Sequence, residues 1–381
     1  YSYFDEVGRL LSVFFSLLVI LFLYLIVNHL LNQPTALLAA TVMALAPFNV
    51  YYSRTVLPES LGLMLLTLGC YLFLRFRKQP SPIFFLSSAV SLALAVLVRP
   101  YVLFFFIPLY AFIIFDKHPL FKKVIYLLVF SAIVFLPFYF WRRWIISFPA
   151  GIPASAWLFD LPAPLRFHPA WWRWLFAERL SKLILGYFGS VLLVLGLLTK
   201  PSRKSGWFFH LWFLGILAYF SIFAGGNVTH DYYQAVTFPA LAVLVAIGLK
   251  QLLTPNHFIW PLSFLTGIVL FVLFLGFSFY EIKGYYQVNH WSIVTAGKYA
   301  DSQLPANAKI IAPYFGDTAF LYQTRRSGWP LMTYDLPRML SLGATHYLSV
   351  NYDDTTNLVL NDPRFKIITK NPDFVLVNLR P

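Results

Sequence analysis

The chain has 381 residues, is 59% hydrophobic and 12% charged, and has a mean hydropathy of +0.68. Its repeated apolar runs exclude a soluble domain with a large core and describe a polytopic helical membrane protein. The net charge of +14 belongs mostly to the part before residue 285, where 20 Lys/Arg stand against 8 Asp/Glu. Basic residues scattered among membrane loops fit orientation and contact with anionic lipid or phosphate, not nucleic-acid binding. The single cysteine, Cys70, excludes an internal disulfide and a multi-Cys metal site.

The chain opens at Tyr1 with no basic n-region, so no signal peptide is read and a longer N-terminal part is expected. About ten spans follow, near 10–31, 35–51, 58–75, 82–98, 100–115, 122–141, 183–199, 207–224, 233–250 and 258–281. Several are short for a bilayer core of about 30 Å, which leaves room for tilt or re-entrance around 82–115. Pro58, Pro100 and Pro261 suit first helical turns, whereas Pro108, Pro137 and Pro239 are expected to kink helices. Short loops carrying Arg75, Arg77, Lys78, Lys117, Lys122, Lys123, Lys200, Arg203, Lys204 and Lys250 alternate with the rest and are assigned to the cytoplasm. The other side then holds residues 1–9, 51–58, 99–100, 142–182, 225–232 and everything after 284.

Six of the eleven Trp lie in 141–182: Trp141, Trp144, Trp157, Trp171, Trp172 and Trp174. Residues 169–182 read as an amphipathic interfacial helix, either a plain aromatic belt or a wall of a substrate entrance. Asn227-Val228-Thr229 is a sequon that hugs the membrane. From about residue 285 a small α/β domain is expected. Its strands are read at 309–314, 330–334 and 346–350, with a hairpin of 365–369 and 374–379 around Asn371-Pro372. Its helices are read at 317–325, capped by Asp317, and at 336–342, ending at Gly343.

Four polar positions fall on the outer side: Arg54, Glu59, Arg99 and His230. A charge beside hydrocarbon is costly, so each is a site candidate. Each also has a plainer reading. Glu59 opens a helix and offsets its dipole. Arg99 can snorkel from a helix end. His230 can be a structural interfacial histidine. As site residues, Arg99 and Arg54 suit a phosphate, because guanidinium stays charged and grips two oxygens at once. Tyr52, Asp231, Tyr232 and Tyr233 are candidate substrate-lining residues around them.

Four stretches resemble the polyprenyl-phosphate-sugar-dependent membrane glycosyltransferases of the GT-C fold, the group with aminoarabinose transferases and protein O-mannosyltransferases. These are Arg9-Leu10-Leu11-Ser12; Ala46-Pro47 with Tyr52-Ser53-Arg54 and Pro58-Glu59; Arg99-Pro100; and His230-Asp231-Tyr232-Tyr233 with Pro239. Leu11 stands where the family has Pro. The resemblance implies a GT-C-like bundle over residues 1–284 and an extracytoplasmic α/β domain over 285–381. It implies a multi-pass enzyme of the cell (inner) membrane, part of the cell envelope machinery. The donor would be a polyprenyl-phosphate-linked sugar, and the acceptor a lipid, glycan or protein. Arg54, Arg99 and His230 would hold the donor phosphate, with Glu59 in a supporting catalytic role. The family's principal catalytic Asp lies in the first outer loop and is expected to precede Tyr1, since Asp5 and Glu6 sit too close to the next span. No metal ligand set and no certain cofactor are implied, and metal dependence is left open. Two other classes stand as alternatives: a lipid-linked saccharide flippase, which needs polar residues through the bundle's depth, and a non-catalytic scaffold, in which Arg54, Glu59 and Arg99 would be dispensable.

Overall fold

Apolar side chains on nearly every face wind the first part of the chain into helices, whose backbone groups satisfy one another without water. The computed structural model describes residues 4–148, 164–255, 260–287 and 290–380. The chain divides into two units, one up to residue 286 and one from residue 287 onward.

The first unit holds α1 (Phe4–Leu30), α2 (Gln33–Leu45), α3 (Pro47–Ser53), α4 (Glu59–Lys78), α5 (Pro82–Val98), α6 (Ile107–Ile114), α7 (Leu120–Ile145), α8 (Pro169–Arg173), α9 (Phe188–Leu198), α10 (Phe208–Ile222), α11 (Ala224–Thr229), α12 (Phe238–Leu253) and α13 (Trp260–Ile282). Among the described residues six helices are long and apolar enough to cross a membrane, or eight if each of two bent pairs counts as one span. The roughly ten apolar segments read from the sequence are helical or broken helical here, and 82–98 and 100–114 are the shorter apolar helices among them. The segment 35–51 is not one straight helix, since α2 and α3 meet at 65° across Ala46-Pro47.

The expected span at 183–199 is also broken. Residues Trp174–Ile184 continue α8 as a π-helix, and the chain then turns by 109° into α9. The turn is made by Gly186 and Tyr187, both with positive φ (49° and 60°). A Cβ at Gly186 would lie 2.4 Å from the Ser278 backbone nitrogen, so only glycine fits against α13 there. Pro108 and Pro239 do not kink helices. They sit in the first turns of α6 and α12, after 3₁₀ segments, where a missing N–H costs nothing. Pro137 does lie inside α7.

Helix α12 is enclosed along its length, whereas α7 and α13 bury little and face apolar side chains outward. Backbones approach closely where side chains vanish. A Cβ on Gly196 would fall 1.9 Å from the Leu244 carbonyl oxygen, which brings α9 tight against α12. Helices α4 and α5 form an antiparallel hairpin tied by Ser88 Oγ donating to the Gly69 carbonyl and Ser91 Oγ to that of Leu65, both at 2.8 Å. This hairpin brings the start of α4 beside the end of α5, and so positions the site.

The second unit holds α14 (Trp291–Gln303), β1 (Lys309–Ile311), α15 (Ala319–Gln323), β2 (Ser327–Trp329), α16 (Leu336–Ser341), β3 (His346–Ser349), α17 (Asp354–Leu360), β4 (Lys366–Lys370) and β5 (Val375–Asn378). The sheet order is β2-β1-β3-β5-β4; the first three strands are parallel and the hairpin is antiparallel. The strand expected at 330–334 lies instead at Ser327–Trp329. Pro330 has no N–H to give a ladder, and only its carbonyl takes part, accepting from the Tyr314 N–H at 3.1 Å. The helix expected from Asp317 starts at Ala319, whose N–H donates to Asp317 Oδ1 at 2.8 Å. Helices α14 and α17 were not expected.

Candidate active site at the helix ends

Glu59, at the first turn of α4, is 6% exposed and forms an ion pair with Arg99 at 2.5 Å. Arg99 is the extended residue that ends α5. The Tyr101 hydroxyl donates to the same Glu59 oxygen, Oε1, at 2.9 Å. The second carboxylate oxygen, Oε2, is buried without a hydrogen-bond partner, and so is Arg99 Nε. Oε2 can accept a further hydrogen bond and Arg99 Nε can donate one. Glu59 also borders a cavity of about 20 Å³, with Ser16, Asn49, Tyr52 and Ser60 on its walls. That is room for about one water molecule.

Tyr101 carries the pair to the His230 segment. Its ring packs edge-on against Tyr233 at 5.8 Å and tilts against Tyr219 at 5.4 Å. Tyr219 in turn donates its hydroxyl to the Tyr233 carbonyl at 2.9 Å. His230 is exposed and stacks on Tyr232, with ring centres 5.0 Å apart and planes 17° apart. Glu59, Arg99, Tyr232, Tyr233 and His230 therefore share one cluster, and Tyr52 reaches it through the small cavity.

Asp231 points elsewhere. It pairs with Arg179, from the π-helical stretch, and accepts a hydrogen bond from the Tyr285 hydroxyl. Arg179 lies over the Trp174 ring at 4.7 Å, and its Nε is buried without a partner. Trp174, Arg179, Lys182, Glu281 and Tyr285 line a cavity of about 290 Å³. Arg54 joins this half through aromatic rings. Its guanidinium lies 4.4 Å from the Tyr286 ring centre and 5.9 Å from that of Tyr51. Tyr51 touches Tyr52, Tyr285 and Tyr286, which links the two halves. Arg54 has no carboxylate partner among the described residues. Asn227 of the sequon is fully buried and donates to the Phe223 carbonyl at 2.8 Å, so it is closed to modification in this fold.

Sequence reasoning missed Tyr101, Arg179 and Tyr285. Arg179 is placed by the Trp-rich stretch, which packs Trp171, Leu175, Leu180 and Ile184 inward and turns its charged side to the cavity. Trp174, Arg179 and Lys182 of this stretch border the cavity, and Trp157 lies outside the described residues. Among the described residues no three His, Cys, Asp or Glu side chains gather where they could hold a metal ion.

The fold and these residues meet known proteins. The sequence model of the family described as dolichyl-phosphate-mannose-protein mannosyltransferase matches residues 4–141, which contain Arg54, Glu59, Arg99 and Tyr101. Two solved structures of ArnT from Cupriavidus metallidurans superpose over 97% of this chain and 83% of theirs. The one bound to undecaprenyl phosphate has 13% identity and a TM-score of 0.62; the apo one has 12% and 0.60. The oligosaccharyltransferase of Archaeoglobus fulgidus, in its apo form, superposes over 91% of this chain and 58% of its own, at 10% identity and a TM-score of 0.54. The fold is that of the GT-C membrane glycosyltransferases. No curated protein matches the chain by sequence. The GT-C bundle here is followed by a small strand-containing unit, and the resemblance to polyprenyl-phosphate-dependent members of that class holds in sequence over residues 4–141 and in fold over nearly the whole chain.

Proposed function

We propose that the protein transfers a sugar from a polyprenyl-phosphate-linked donor to an acceptor hydroxyl at the extracytoplasmic face of the cell (inner) membrane. The observation that carries this reading is the buried Glu59–Arg99 pair, with Glu59 Oε2 and Arg99 Nε unpartnered. In the reaction the acceptor oxygen bonds to the anomeric carbon, the bond from that carbon to the phosphate oxygen breaks, and the hydroxyl proton passes to a carboxylate base. The polyprenyl phosphate leaves with one more negative charge. Arg99 is placed to take up that charge, and Glu59 to hold the acceptor hydroxyl through Oε2. His230 and Tyr232 stand over the same cluster and supply further donors to the phosphate. Arg54, stacked on Tyr51 and Tyr286, has no carboxylate partner among the described residues and adds positive charge beside the cluster. The donor brings its own leaving group, so no nucleotide-binding loop is needed.

The test is transfer from a lipid-linked sugar by purified protein. Arg99→Ala should lower turnover about ten- to a hundredfold, the cost of one charged hydrogen bond of about 1.5–3 kcal/mol. Arg99→Lys should recover part of it, since charge is kept and two-pronged geometry lost. Equal turnover by wild type and Arg99→Ala, at matched expression, would sink the phosphate role. Sidedness has its own check. Cysteines placed at Lys78 and Gln303 should be labelled from opposite sides of sealed vesicles, and labelling from one side rejects the assigned face.

A further inference from the structure

Another cavity, of about 270 Å³ and mixed polar and apolar lining, lies at the far end of the bundle, where α12 ends. It is bordered by Asn32 and Thr35, by Lys200 and Ser202 of the loop after α9, and by Lys250 and Gln251 of α12. The α12 segment of 16 residues separates it from the His230 cluster by roughly 24 Å. It is therefore independent of the site above. No carboxylate lines it. Lys250 is half-buried, and its ammonium donates to the neutral Asn32 Oδ1 at 3.0 Å. Asn32 Oδ1 already accepts from the Thr35 N–H and hydroxyl as the cap of α2. No ion pair neutralises Lys250 or Lys200 among the described residues. An ammonium that faces open space with only a neutral partner is free to make a charge-assisted hydrogen bond to an anion.

The cavity of about 270 Å³ is many times the space of one water, more than a bare halide needs and enough for a tetrahedral oxyanion. Its ammonium, hydroxyl and amide groups suit phosphate oxygens. We propose that this cavity binds a phosphate group, either of an anionic lipid headgroup or of free phosphate, at the membrane face opposite the Glu59–Arg99 pair. Basic pockets between helices at that level of the membrane are suited to anionic headgroups.

The experiment is native mass spectrometry of the full chain in detergent, with phosphatidylglycerol competing against phosphatidylcholine. Wild type should retain phosphatidylglycerol preferentially. The double variant Lys200→Gln/Lys250→Gln should weaken that retention about 30-fold, as each lysine near a bilayer surface is worth about fivefold. Lys117→Gln/Lys122→Gln removes the same charge from another basic loop and should leave retention within about twofold if the cavity, not the general field, does the binding. Lys250→Arg, which keeps the charge, should stay close to wild type and guards against loss through misfolding. Inorganic phosphate that displaces the bound lipid would assign the site to the phosphate group itself. Lipid that resists phosphate but yields to a second anionic lipid would assign it to the headgroup. No preference for phosphatidylglycerol in wild type, together with no binding of inorganic phosphate, would overturn the proposal, as would equal losses in the two double variants.

Discussion

Two arginine–carboxylate pairs sit at opposite ends of the α4–α5 hairpin, and they are built for different work. Glu59–Arg99 closes at 2.5 Å with the glutamate 6% and the arginine 22% exposed, and the Tyr101 hydroxyl donates to the same carboxylate. Arg77–Asp116 closes at 3.1 Å with side chains 33% and 25% exposed. Partial burial opposes ionisation of Asp116, but the His118 N–H and the Arg77 guanidinium outweigh it and hold its carboxyl below the ordinary value. A depressed carboxyl contributes above its unfolded value, and that contribution fades as pH falls through the folded one. The buried pair instead keeps two polar atoms unsatisfied. Identical chemistry thus serves as a loop clamp at one end and as an open valence at the other.

Stability should separate the pairs most widely. Arg99→Ala leaves the Glu59 carboxylate buried and alone, and should cost about 3–5 kcal/mol on unfolding in mixed micelles. Adding Glu59→Gln to Arg99→Ala should restore much of that loss, because the uncompensated charge is gone. Failure of the second change to restore stability would show that Glu59 is neutral or hydrated in the folded chain. At the other end, Arg77→Ala and Asp116→Asn should each cost no more than about 1 kcal/mol, as exposed pairs do. A loss there as large as that of Arg99→Ala would erase the distinction.

The parts of the site that are local in sequence were legible. Glu59 opens one apolar run and Arg99 closes another, and a charge at such a place is read from the residues themselves. His230 with Tyr232 and Tyr233 stood out for the same reason. The partners drawn from afar were not legible. Asp231 meets Tyr285 across 54 positions, and Arg179 enters through a π-helical stretch that no periodicity announces. The signal available was Asp231 itself, an acid beside hydrocarbon that needed a cation. In the second unit the hairpin followed from the turn residues Asn371-Pro372, and the α/β class from the alternating order of strands and helices. Helix α14 was overlooked, although Ile293, Ala296, Gly297 and Ala300 repeat with helical spacing and are all buried. Helix α17 was also marked, by Asp353, whose side chain caps it through the Thr356 N–H at 2.9 Å. Strand β2 was misplaced because apolar residues 331–332 outweighed the missing donor of Pro330.

The account rests on Arg99 holding the phosphate of a polyprenyl carrier. Equilibrium binding of a polyprenyl phosphate to the purified chain tests it without any need for acceptor or sugar. Wild type and Arg77→Ala should bind alike, and Arg99→Ala should bind about ten- to a hundredfold more weakly while its helical content stays intact. Equal affinity across all three proteins would contradict the account and leave Glu59–Arg99 as a structural pair.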